Sequence, residues 1–250
     1  MIYFVGAGPG APDLITVRGR ELLRQAHTVV YAGSLVNPKL LTETPAGCQL
    51  VNSATMTLDQ VVAKLSQAEG PGRTVVRLHS GDPSLYGAIR EQMDALRELG
   101  LPFELVPGVS SFCAAAATLQ IEYTLPEVSQ TVILSRMKGR TPVPERESIN
   151  SLAAHGATMV LFLSSGMLSE LCACLEEGGY PPDTPAAVVY KASWPEEKIV
   201  RGTISTLPQL GAEAGINATA LVVVGNCLGD DYQLSRLYAP DFSHGFRKAP

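Results

Sequence analysis

Three short stretches bring together residue types suited to holding a small molecule: GAGPG (6–10), HSGDPSLYG (79–87) and VPGVSS (106–111). In the second, an apolar strand over 75–78 runs into Ser80, Gly81, Asp82 and Pro83, and open α/β sheets bind ligands in the crevice at the carboxyl ends of parallel strands. Gly81 lets backbone approach closely. Asp82 is placed to cap the helix that Pro83 opens, because proline lacks only an N–H that the first turn could not use. Ser110 and Ser111 are suited to capping the alanine-rich helix that follows them. The glycines of 6–10 invite a dinucleotide reading, which the residues disfavour. Gly6, Gly8 and Gly10 depart from G-x-G-x-x-G, and Pro9 removes a backbone N–H that a pyrophosphate needs. The second strand ends in Ala32, Gly33 and Ser34, without the acid that would hold a ribose hydroxyl. Arg136, Lys138 and Arg140 gather just beyond a predicted strand, a local cationic site for anionic groups on an otherwise acidic chain.

The elements that must position these groups follow from the patterning. Strands are expected over 2–5, 28–31, 49–52, 75–78 and 103–106, with helices over 14–25, 57–68 (capped by Thr57), from Pro83 to about 99, and up to 119. This alternation implies a mainly parallel sheet with right-handed crossovers. After a linker over 121–130 the pattern restarts, with strands over 131–135, 158–163, 185–190, 198–203 and 219–224 and a helix over 168–177. The KASWPEE stretch (191–197) reads as a hairpin connection, so the second sheet is mixed. Residues 1–118 form one predicted α/β domain, 119–235 a second, and 236–250 a loose, mildly basic tail.

Composition narrows the function classes. The net charge is −5 over 250 residues, where a nucleic-acid surface would want a basic stripe. No apolar run approaches a membrane span, and the chain opens on a strand rather than a signal peptide. Five cysteines do not make a complete set of intrachain disulfides, which points to a reduced, cytoplasmic setting. Cys172 and Cys174 form a C-x-C within a predicted helix and the four histidines are scattered, unlike the two tight ligand pairs of zinc sites; no metal site is expected.

In this order the motifs resemble the tetrapyrrole (class III) methyltransferases, which use S-adenosylmethionine. GAGPG (6–10), LITVRG (14–19), HSGDPSLYG (79–87), VPGVSS (106–111) and ALVVVG (220–225) carry the resemblance. QTVILSRMKGRTPVPE from Gln130, LFLSS (161–165) and VVYKASWPEEKIVRGT from Val188 are similar to the branch that methylates a ring carbon of corrin precursors in cobalamin biosynthesis. The resemblance implies two α/β domains with the cofactor in the trough between them, in a homodimer. By matching positions it implies cofactor contacts from Pro9, Ser80, Gly81, Asp82, Leu85, Ser110 and Ser111, and from Leu163, Ala192, Thr219 and Ala220. The sequence departs from relatives at Ser80, where glycine is common, at Leu163 (methionine) and at Thr219 (proline). The aspartate that sirohaem-type relatives place near Ala32 and Gly33 as a base is absent, so no proton acceptor is assigned.

The implied substrate is a polyanionic reduced tetrapyrrole. Its carboxylates would meet Arg136, Lys138, Arg140 and Lys191, the two arginines being favoured by forked recognition of carboxylates. Asp82 is read either as a ligand for a cofactor hydroxyl or ammonium, or as a helix cap. Tyr86 and Tyr190 are expected at the cavity border or in packing.

Overall fold

The structure, a computed structural model, describes residues 1–248; the last two residues of the expected tail lie outside the described residues. The chain divides into two compact units, one comprising Met1–Ala114 with Ala192–Pro195, the other Ala115–Lys191 with Glu196–Pro250.

The first unit alternates β1 (Ile2–Gly6), α1 (Val17–Arg24), β2 (Thr28–Tyr31), α2 (Pro38–Leu41), β3 (Gln49–Asn52), α3 (Leu58–Ala68), β4 (Val75–His79), α4 (Arg90–Glu98) and β5 (Phe103–Val106), after which α5 (Ser111–Leu119) carries the chain into the second unit. Its five strands lie in the order β3-β2-β4-β1-β5, and every pairing is parallel. Parallel sheets are stable when both faces are covered, and the strand sequences provide for that. Val5, Val29, Val76 and Leu78 pack with Leu23 of α1 on one face. Ile2, Phe4, Val30 and Val75 pack with Val61, Val62 and Leu65 of α3 and Leu96 of α4 on the other. Thr57 caps α3 with a reciprocal box to Gln60, as its position before an apolar helical period predicts. Adjacent strands β1 and β4 therefore lead to helices on opposite faces, the switch point at which a crevice opens beyond the carboxyl ends.

The second unit holds β6 (Val132–Arg136), α6 (Ile149–Ala153), β7 (Thr158–Phe162), α7 (Leu168–Glu177), β8 (Pro185–Tyr190), β9 (Lys198–Thr203), α8 (Leu207–Glu213) and β10 (Ala220–Val224), with strand order β6-β7-β10-β8-β9. β6 and β7 are parallel, β10 runs antiparallel to both β7 and β8, and β8 and β9 pair antiparallel across the expected hairpin. The mixed sheet buries Met159, Leu161, Val188 and Val222 against Leu171, Leu175 and Leu207. Because β6, β7 and β8 point the same way and β10 the opposite way, Arg136, Leu163, Lys191 and Thr219 fall at one end of this sheet.

Two sequence expectations need correction. Pro83 does not open a helix: 83–86 is a turn, and α4 starts only at Arg90. A Cβ on Gly87 would sit 2.2 Å from the Pro83 carbonyl oxygen, so the chain doubles back here more tightly than a helix allows. The helix expected over 14–25 divides into a 3-10 turn (Pro12–Leu14) and α1, in whose first turn the Gly19 N–H is met by the Thr16 side chain. Within the expected tail, Arg247 donates to the carbonyls of Leu237, Ala239 and Phe242.

Candidate functional site

The loops after β1, β4 and β5 meet backbone to backbone. Gly81 N–H donates to Gly8 O at 2.8 Å, Gly8 N–H to Gly81 O at 3.3 Å and Ala7 N–H to His79 O at 2.7 Å. Both Gly8 (φ +78°) and Gly81 (φ +61°) are left-handed, a conformation that a side chain would strain. Gly6 and Gly108 are needed for approach rather than for φ. A Cβ on Gly6 would lie 2.5 Å from Gly108 Cα, and one on Gly108 would lie 2.2 Å from Gly81 O.

Asp82 fastens this junction. Its Oδ1 accepts from Ser84 N–H at 2.8 Å and from the Ser84 hydroxyl, and its Oδ2 accepts from Gly108 N–H at 2.8 Å. Partial burial opposes its ionisation, but the bonds from the Ser84 hydroxyl, the Gly108 N–H and the Ser84 N–H outweigh that, so its pKa lies below the usual carboxylate range. The sequence alternatives for Asp82 were helix cap or cofactor ligand. The structure shows a local turn, together with a tie between the β4 and β5 loops that neither reading foresaw.

Of the other expected cofactor residues, Ser80 is half-buried beside Gly81, and Ser110 is buried. A Cβ on Gly81 would be 3.7 Å from both Ser110 Cα and Ser111 N, so these positions adjoin. Leu85 donates its N–H to Asp82 O and is half-buried. Pro9 accepts at its carbonyl from Trp194 Nε1 at 3.0 Å, and Ala11 N–H donates to Ser193 Oγ at 3.0 Å. Ala192, buried, begins this same segment. Trp194 was not singled out from sequence. It covers Gly10 so closely that a Cβ there would lie 2.1 Å from the indole. The available signal was that it is the chain's sole tryptophan and sits next to Pro195 in a connection rather than a core strand.

In the second unit, backbone strain marks the end of the sheet that carries the expected residues. Leu163 (φ +52°), Lys191 (φ +47°) and Thr219 (φ +55°) are all left-handed without being glycine; Lys191 N–H donates to Thr219 O at 3.0 Å. Such residues cost about 1–3 kcal/mol each and cluster at functional sites. Leu163 is also 68% exposed, and Ala220 pairs with Tyr190 across the strands. Fully buried Ser164 accepts from Met137 N–H at 2.9 Å, tying the Arg136–Arg140 loop to the end of β7.

The four expected carboxylate binders differ in their contacts. Arg136 donates to the carbonyls of Met137, Thr141 and Pro142, so it shapes its own loop. Lys138 and Arg140 are exposed on that loop. Lys191 Nζ lies 3.7 Å from Glu196 and 5.7 Å from the Tyr190 ring centre. Tyr86 is 45% exposed, while Tyr190 packs against the second core. A cavity of about 340 Å³ at the other end of the second sheet, bordered by Ser129, Thr158, Tyr180 and Asp183, contains none of the expected residues.

A family model described as Tetrapyrrole (Corrin/Porphyrin) Methylases matches residues 1–208. The cobalt-precorrin-4 C(11)-methyltransferase of Methanocaldococcus jannaschii is 49% identical over 99% of this chain and 96% of its own. The precorrin-4 C(11)-methyltransferase of Pseudomonas aeruginosa is 48% identical over 98% of each. Among solved structures, a cobalt precorrin-4 methyltransferase, described as a cobalamin biosynthetic enzyme, superposes with a TM-score of 0.89 at 46% identity, covering 92% of this chain and 96% of that one. The uroporphyrin-III C-methyl transferase of Thermus thermophilus, solved with S-adenosyl homocysteine, gives 0.75 at 26% identity, covering 91% and 92%. With the family model matched over most of its residues and these relatives matched over nine-tenths or more of their length, the chain belongs to the tetrapyrrole (corrin/porphyrin) methylases.

Proposed function

We propose that this protein transfers a methyl group from S-adenosylmethionine to C-11 of precorrin-4 or cobalt-precorrin-4 in cobalamin biosynthesis. The observation that carries the cofactor assignment is the glycine junction pinned by an ionised Asp82 at the switch point of a parallel sheet. The residues fit such a group. Small side chains and backbone form the floor, Ser110 and Ser111 adjoin it, and the charged group there is a carboxylate, suited to a cation. The loops 6–11 and 80–85 contain no lysine or arginine, so a pyrophosphate would find no counter-charge there. Pro9, Ser80, Gly81, Asp82, Leu85, Ser110, Ser111 and Ala192 are the proposed cofactor residues of the first unit, and Leu163, Thr219 and Ala220 those of the second.

S-adenosylmethionine supplies a methyl on a sulfonium whose leaving group is a neutral thioether, so no side chain has to protonate it. The protein's task is to hold donor and acceptor in line, and alignment alone can supply up to roughly 7–11 kcal/mol. Lys138, Arg140 and Lys191 are proposed to bind the carboxylates of the tetrapyrrole, with Arg136 holding the shape of the loop that presents the first two. We further propose a homodimer, testable by light scattering, and a cytoplasmic setting in which the five free cysteines stay reduced. Among the described residues no helix is long and apolar enough to cross a membrane.

The deciding experiment supplies methyl-labelled cofactor with precorrin-4 and, separately, with cobalt-precorrin-4, and locates the label by NMR. Label at C-11 of either is expected, and the faster substrate identifies the route. Label at another ring carbon would make this a different precorrin methyltransferase; no transfer to either would overturn the proposal.

A further inference from the structure

β4 brings an arginine into the interior of the first unit. Arg77 is 6% exposed, and its three acceptors are all neutral: Gln92 Oε1 at 3.0 Å from Nε, and Ser53 Oγ at 3.0 Å and Val30 O at 3.3 Å from Nη1. Burial lowers its pKa to about 10, which leaves it charged at neutral pH. A buried ion held by neutral groups is a poor source of stability, and an apolar residue of similar size commonly does better. The position therefore calls for a reason other than folding energy.

The hydrogen bonds beyond the guanidinium supply one. Gln92, itself 6% exposed on α4, is gripped by Arg77 at its oxygen and donates Nε2 to the carbonyl of Ala88 at 3.0 Å. Ala88 (φ +48°) and Tyr86 (φ +56°) are both left-handed without being glycine, a shape that persists only when surroundings over-determine it. The turn they form directly follows Asp82 and Leu85. On the other side, Ser53 Oγ passes the connection to Tyr31 O at 2.9 Å, at the end of β2. A line of bonds thus runs under the sheet from the end of β2, through Arg77 and Gln92, to the strained turn beside the glycine junction.

We propose that Gln92, oriented by Arg77, is a positioning residue that holds the Tyr86–Ala88 turn in its strained shape and so sets Asp82 and Leu85 for the cofactor. This rests on the cofactor reading given above. The role is indirect, because Gln92 acts through Ala88.

Two variants of the full chain separate this role from plain packing. Gln92→Leu removes both bonds. Gln92→Glu keeps an acceptor for Arg77, now as an ion pair, and puts a carboxylate oxygen in place of the donor to Ala88, so that the bond to Ala88 becomes a repulsive contact. Hydrogen exchange and calorimetry with S-adenosylhomocysteine are the readouts. Both variants should speed deuterium uptake across residues 84–90 while leaving 75–79 protected, and weaken S-adenosylhomocysteine binding by tenfold or more. Gln92→Glu should do so while melting at or above the wild-type temperature. If Gln92→Glu keeps wild-type exchange over 84–90, or wild-type affinity, the inference fails. A wild-type protein that does not bind S-adenosylhomocysteine would instead count against the cofactor reading, and exchange over 84–90 would still decide what Gln92 does.

Discussion

Replacing Gly108 by alanine tests the claim that the site is built of backbone. The backbone of Gly108 is not in the left-handed region, so alanine is conformationally acceptable; only its neighbours forbid it. The new Cβ would sit 2.2 Å from Gly81 O and 2.7 Å from Gly6 Cα. Neither is the end of a flexible side chain, so one of the three loops must move by about 1 Å to restore van der Waals contact. Overpacking of this kind costs about 1–3 kcal/mol. The displacement also stretches the 2.8 Å bond from Gly108 N–H to Asp82, worth about another 1 kcal/mol at a partly solvated carboxylate. A total near 3 kcal/mol corresponds to a melting temperature lower by roughly 10 °C for a unit of this size. S-adenosylhomocysteine should bind at least tenfold more weakly, and because a 1 Å misplacement can cost about 100-fold in rate, turnover should fall further than affinity. Gly70→Ala is the control, since its nearest neighbour, Arg73 Cδ, is 3.6 Å away; it should change neither property. Thermal denaturation and calorimetry on both variants suffice. A Gly108→Ala protein with wild-type melting and wild-type affinity would refute the idea of a rigid junction.

Three further outcomes follow from individual contacts. Trp194, the sole tryptophan, bonds Pro9 O, so its fluorescence should shift on addition of S-adenosylhomocysteine, and Trp194→Phe should weaken binding severalfold; an emission spectrum unmoved at saturation would place the cofactor away from Pro9. His79 is 4% exposed, and burial, then the nearby Arg77, hold its pKa down to about 3 against an ordinary 6.5. The unfolded chain therefore binds the extra proton first, and stability is full above pH 6.5 and declines as pH falls toward 3, by about 1.4 kcal/mol per unit. Near pH 5 the loss is roughly 2 kcal/mol, and urea titrations of His79→Leu should lack that component; equal slopes in variant and wild type would contradict it. Arg140→Glu should raise KM for the tetrapyrrole at least tenfold at low salt with S-adenosylhomocysteine affinity unchanged, whereas Arg136→Met should chiefly lower the melting temperature, because its guanidinium holds three carbonyls of its own loop; the reverse pattern would exchange their roles.

Apolar periodicity made most of the fold legible. The strands of the first sheet alternate so that successive residues face opposite helices, and α7, β8 and β9 fall where pattern and turn chemistry place them. What escaped was whatever depends on partners distant in sequence. α8 is only seven residues long and contains Pro208 and Gly211, breakers on any local scale; it forms because Leu207 is fully buried against the second core. Pro83 looked like a helix start because its local chemistry is that of one, and only the tight return at Gly87 excludes it. Arg77 and His79 sit among Val75, Val76 and Leu78, and nothing in that run shows that both polar side chains face the interior.

The same distinction explains why the candidate site was legible through its small residues and not through its polar ones. The small-residue motifs are visible in sequence, where Gly81 alone is read as permitting close backbone approach; the structure shows what each glycine is needed for, a left-handed φ of +61° at Gly81 and a missing Cβ at Gly6 and Gly108. The bonds that stiffen the resulting junction are donated by Gly108 N–H to Asp82, 26 residues away across a whole helix and strand, and by Gln92 to Ala88, only 4 residues away but with Gln92 held at its oxygen by Arg77 from another element. Asp82 also accepts from Ser84, the local partner that made a helix cap the natural reading. A carboxylate that serves its own turn and a neighbouring loop at once cannot be removed without moving both. Asp82→Asn, which keeps one acceptor oxygen but must turn an amide toward either Ser84 or Gly108, should therefore lose stability and S-adenosylhomocysteine affinity together, in contrast to Gln92→Glu, which should lose affinity alone.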